Sequence, residues 1–76
     1  MSENERIEIA GKADMIVGGY AFLGDGDFIK IVNLNKSDPH VCIIDKSGRV
    51  IESSMDPLEQ VIAVKIWNSD SEFMGA

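Results

Sequence analysis

Met55-Asp56-Pro57-Leu58-Glu59-Gln60-Val61-Ile62-Ala63-Val64-Lys65-Ile66-Trp67 is the stretch that decides how this 76-residue chain is read. It carries a complete helix start. The Asp56 side chain can accept hydrogen bonds from the free amides of a first turn. Pro57 takes the first helical position, where a missing N–H costs nothing. Glu59, at the third position, completes a capping box and suits the positive end of the helix dipole. At ~100° per residue Leu58, Ile62 and Ile66 share one side with Val61 beside them, and Val64 and Trp67 lie on the far side. Glu59, Gln60 and Lys65 interrupt this apolar girdle without forming one polar face. A surface helix of a monomer carries a single apolar stripe. The excess predicts a protein interface, with a second copy or with a foreign protein.

The same residues admit an alternative. Val61 to Trp67 is rich in β-branched side chains and would serve as a last strand, giving an all-β small barrel. The capping chemistry favours the helix, which ends the sheet at Asp56 and leaves a polar tail from Asn68 to Ala76, with Phe73 and Met74 able to fold back.

Upstream lie strands and turns. Arg6-Ile7-Glu8-Ile9-Ala10 alternates polar and apolar residues, the pattern of a half-buried strand, and Gly11 to Asp14 follows as a turn. Met15 to Leu23 is an apolar run interrupted by Gly18-Gly19, which predicts a bulge, a bend or a close backbone approach. Gly24-Asp25-Gly26-Asp27 predicts a hairpin with a type I′ turn, and Phe28 to Asn33 is its return strand. A polar loop from Leu34 to Pro39 leads to His40-Val41-Cys42-Ile43-Ile44-Asp45, apolar on both faces as in a central strand. Lys46-Ser47-Gly48 has the form of a type I turn closed by a glycine bulge, and Arg49 to Glu52 returns as the partner strand. The expected fold is α+β: an antiparallel meander of four or five strands with one C-terminal α-helix, in a single domain over 1–76 whose ends, 1–5 and 69–76, are flexible tails.

The 45% hydrophobic content is enough for a core and too high for a disordered chain. Cys42 stands alone, so the fold holds without an intrachain disulfide and suits a reducing compartment. No run approaches the ~20 apolar residues that span a bilayer, and the acidic start Met1 to Glu5 lacks the layout of a signal peptide. A cytoplasmic protein with no membrane contact is expected. Thirteen acidic residues against seven basic ones give a formal charge of −6, which disfavours direct nucleic-acid binding and permits docking to a basic protein surface.

Chemistry-bearing pairs are few. His40 and Cys42 lie two apart on a strand and so point to one side, as a nucleophilic Cys–His pair would. A lone thiol is more often simply buried, and a catalytic triad also needs an orienting group and an oxyanion site. One Cys and one His cannot supply a zinc site. Asp25 and Asp27 lack the distal bidentate Glu of a calcium loop. Gly18-Gly19 and Gly24/Gly26 lie between strands rather than before a helix, so they form no phosphate cradle. No cofactor, metal or catalytic residue is expected. The aromatics Tyr20, Phe22, Phe28 and Trp67 are expected in or near the core.

Gly19-Tyr20-Ala21-Phe22-Leu23, Asn33-Leu34-Asn35, Met55-Asp56-Pro57-Leu58-Glu59-Gln60 and Glu72-Phe73-Met74 together resemble a group of small uncharacterised proteins of phages and mobile elements in Gram-positive bacteria. The resemblance spans most of Met15 to Met74 and implies context rather than an activity. Small acidic mobile-element proteins often act by binding and inhibiting a host enzyme or defence complex. The expected function is therefore a non-enzymatic protein-binding module, an inhibitor of a host protein or an anti-CRISPR-like protein. Its contact is expected at Val64, Ile66 and Trp67, with Tyr20 and Glu59. The alternatives are a homodimeric housekeeping protein with no inhibitory role and, more distantly, a Cys-dependent enzyme.

Overall fold

In the computed structural model, which describes residues 2–38 and 40–73, five antiparallel strands form one meander in the order β1-β2-β3-β4-β5. They are β1 (Met15–Val17), β2 (Tyr20–Asp25), β3 (Phe28–Asn33), β4 (Val41–Asp45) and β5 (Val50–Ser53). Helix α1 (Glu3–Lys12) precedes the sheet, and helix α2 (Pro57–Asp70) follows it, ending in a short 3₁₀ turn (Ser71–Phe73). The fold is thus α+β with a five-stranded sheet and a C-terminal helix.

The predicted N-terminal strand is instead helical. Ser2 caps α1 by accepting from the Glu5 amide at 3.1 Å. Glu3 and Glu5 occupy the first turn, and Glu8 pairs with Lys12 one turn on at 2.9 Å. These local contacts suit a helix, and the alternation of Arg6 to Ala10 arises without a strand. Part of each segment expected as a tail is helical. Residues 3–5 open α1, and 69–70 belong to α2, so Asn68 to Asp70 is helix rather than tail. Met74, named as a residue that folds back, lies outside the described residues.

Each hairpin follows its glycines. Gly18 and Gly19 both take positive φ, 58° and 82°, and make the two-residue loop between β1 and β2. Only glycine occupies both central positions of such a turn without strain. The apolar run is therefore two strands rather than one bulged strand. In the next hairpin Gly26 has φ 63° and Asp27 does not share it, so the turn has glycine at its first loop position and is not type I′. At Lys46-Ser47-Gly48 the Gly48 amide donates to the Asp45 carbonyl at 3.0 Å with φ 92°, as a turn closed by a glycine bulge requires.

Strand alternation divides the sheet into two faces. Phe22, Ile31 and Cys42 lie in one cross-strand row, and with Met15, Tyr20, Ile29, Ile44 and Met55 they pack under α2. Phe22, Ile31, Cys42 and Ile44 are fully buried. Ala21 and Val32 oppose each other on the second face and are also buried. Helix α1 lies against that face on the β2 side, where Ile9 and Leu23 line a shared groove. The molecule is a three-layer stack, with α1 covering only part of its side.

Candidate protein interface on helix α2

The helix start is built as its residues dictate. The Glu59 amide donates to Asp56 Oδ1 at 2.9 Å, and the Asp56 amide donates to Glu59 Oε1 at 3.4 Å. This capping box sets the helix phase and turns Glu59, Ala63 and Trp67 toward the sheet. These three lie four residues apart, on one face of the helix.

Trp67 stacks on Phe22 with ring centroids 6.5 Å apart, and its Nε1 donates to the Lys46 carbonyl at 3.2 Å. It is 8% exposed, so the side chain expected to anchor a partner belongs to the chain's own core. Val64 and Ile66 are half-buried and pack against the same cluster. Tyr20 is buried beneath the N-terminal end of the helix. Of the five residues assigned to a partner, Tyr20, Glu59 and Trp67 are interior, and Val64 and Ile66 sit at the helix flanks.

Glu59 is the centre of a buried polar cluster. Its carboxylate accepts from Asn33 Nδ2 at 2.9 Å and contacts His40 Nδ1 at 2.8 Å. Tyr20 Oη lies 3.5 Å from the same Asn33 nitrogen. Burial raises the cost of the Glu59 charge, and the hydrogen bonds from Asn33, His40 and Asp56 outweigh it, holding its pKa down at about 2. An ionised carboxylate only accepts, so His40 Nδ1 carries the proton and donates. The cluster joins β2, β3, the end of the 34–40 loop and α2. His40 is thus engaged with Glu59, and the Cys42 thiol two residues on is fully buried, with burial pushing its pKa up. A protonated buried thiol is a poor nucleophile. Asp25 and Asp27 stay at the exposed hairpin tip, and among the described residues no cluster of His, Cys, Asp or Glu could hold a metal ion.

The face of α2 turned away from the sheet carries a different set. Leu58 is 70% exposed, Val61 63% and Ile62 38%. At i, i+3 and i+4 they form one continuous apolar ridge a little over one turn long. Lys65 extends it, and a shallow groove lined by Gln60, Val61, Val64, Lys65 and Asn68 runs beside it. The excess apolar surface predicted for the helix exists, on other residues than those expected. Sequence reasoning put Leu58 and Ile62 beside Ile66 on the apolar side; the signal missed was the stripe Glu59, Ala63, Trp67, whose small central alanine permits close approach to a sheet.

Compared with known families, the chain matches the one described as "Family of unknown function (DUF7723)" over residues 3–74, and it belongs to that family. Comparison with curated proteins and with solved structures gives no match.

Proposed function

For this member of the DUF7723 family we propose a non-enzymatic role as a protein-binding module whose α2 ridge docks on another protein. The observation that carries this is the ridge itself: Leu58, Val61 and Ile62 are exposed together on a helix fixed to the sheet through Glu59, Ala63 and Trp67. Large apolar side chains grouped on a rigid helix mark interaction sites more than scattered ones do. Charge selects the kind of partner. The net charge of −6, with Asp56 at one end of the ridge and Asp70 and Glu72 beyond Lys65 at the other, fits an apolar groove rimmed mainly by basic residues with one acidic group to meet Lys65. The sequence resemblance to small mobile-element proteins supports an inhibitor of a host protein or defence complex, working in the cytoplasm by occupying that groove.

The test compares wild type with a Leu58→Glu/Val61→Glu variant. Both positions are exposed, so the variant keeps the wild-type melting temperature. Affinity capture from host lysate, followed by CRISPR interference assays in cells expressing each protein, is expected to show a protein partner and an inhibition that the variant loses. A partner retained equally by the variant overturns the ridge as the docking site. Recovery of the chain's own second copy alone supports the homodimer reading instead.

A further inference from the structure

A second, independent surface lies on the opposite side of the sheet, where α1 stops short. Leu23, Lys30, Ile43 and Glu52 form one row across β2, β3, β4 and β5. Helix α1 shelters the Leu23 end, and Lys30 borders that groove as well, with Glu5 and Glu8 of the helix. Past it, Lys30, Val41, Ile43, Glu52, Ser53 and Ser54 line an open shallow groove. Lys30 and Glu52 flank Ile43 and, at ~4.8 Å per strand, stand roughly 10 Å apart. Among the described residues neither has an ion pair. Phe28, in the next row beside Asp45, is 44% exposed, and Ile51 on β5 is 52% exposed.

We propose that this half-open face pairs with its own copy in a two-fold dimer. The order of the charges selects this partner. A two-fold axis running along β4, between two sheets set face to face, lays Ile43 against its counterpart. It then brings Lys30 of one copy opposite Glu52 of the other, and the reverse. A basic residue and an acidic residue placed symmetrically about an apolar centre are complementary to themselves, as an isologous contact requires. The step where α1 ends has the same logic. Helix α1 stands above the β2 side, so each copy's helix flanks the other copy's β5 edge. That juxtaposes two elements with exposed isoleucines, Ile7 (64%) on α1 and Ile51 on β5. The bulge between Ile43 and Ile44 interrupts regular pairing along β5 and disfavours the alternative of edge-to-edge strand addition. The net charge of −6 on each copy, and Asp45 set against its own counterpart along the axis, oppose association, so the dimer is weak and depends on concentration. The α2 ridges stay outside this contact, and a dimer offers two of them.

Sedimentation velocity of the full chain from micromolar to millimolar concentration tests the proposal, using wild type, Lys30→Glu, Glu52→Lys and the double charge swap. Wild type is expected to shift from monomer to dimer. Each single variant places like charges opposite each other and weakens the dimer roughly tenfold, an effect of about 1.4 kcal/mol. The double swap restores it. Circular dichroism of each variant separates this from misfolding, and Glu52→Lys, remote from α1, serves alone if Lys30→Glu disturbs that helix. A monomer throughout the range, a dimer indifferent to both single swaps, or a dimer not regained by the double swap overturns the proposal. So does a dimer lost on Leu58→Glu, which places the contact on α2.

Discussion

Glu59 performs three tasks with one carboxylate: it closes the capping box, receives Asn33 and orients His40. A buried charge is costly unless its hydrogen bonds are made, and here they are. Glutamine keeps one acceptor oxygen but replaces the other with an NH2 donor, so the Asn33 amide and the His40 ring cannot both keep their charge-assisted bonds. Glu59→Gln is therefore expected to lower stability by about 2 kcal/mol in chemical denaturation. The pH dependence has a definite sign. The folded-state pKa lies below the ordinary 4.5, so the contribution of Glu59 is fully present above that value and is lost as pH falls toward about 2. Wild type should lose this part of its stability across that window, and Glu59→Gln should not. An equal acid loss in both proteins would show that the cluster does not hold the charge. Glu59 was legible as a helix-start residue because capping is local. Its second role was not, since Asn33 and His40 lie 26 and 19 residues away.

Local chemistry also explains which elements the sequence disclosed. The start of α2 and the Lys46 to Gly48 turn follow from residue types within four positions, and both form as read. Helix α1 carried an equally local sign, Ser2 followed by Glu5, but the alternation of Ile7 and Ile9 with charged neighbours imitates a strand. None of its residues is fully buried, so tertiary packing adds little to the pattern. The Gly18-Gly19 pair was ambiguous because a bulge and a tight turn ask the same of glycine. What separates them is Asn35, whose side chain donates to the Gly18 carbonyl at 3.0 Å, while the Leu34 amide donates to the Gly19 carbonyl at 2.7 Å. A Cβ on Gly19 would run into the Asn35 amide, whereas one on Gly18 meets open space. Both glycines have positive φ, so each alanine carries backbone strain of about 1 kcal/mol. Gly19→Ala should cost more than Gly18→Ala in thermal or urea unfolding, and the difference reports the Asn35 contact. Equal losses would remove Asn35 from the account of this turn.

At the scale of the whole molecule, the two faces of α2 do opposite work. Glu59, Ala63 and Trp67 fix the helix to the sheet, and Leu58, Val61 and Ile62 are left at the surface. Amphipathic reasoning identified a surplus of apolar residues but not its location, because the girdle offers several stripes and only the sheet selects one. The inward choice of Trp67 moves the proposed interface from the C-terminal half of the helix to its first two turns. Site-specific photo-cross-linking inside the host cell tests this most directly, with a photoreactive residue at Val61, at Leu58 or, as a control, at the hairpin residue Asp27. Val61 and Leu58 are expected to give the same single foreign-protein adduct, and Asp27 none. An adduct formed from Asp27 but not from the two ridge positions would contradict this.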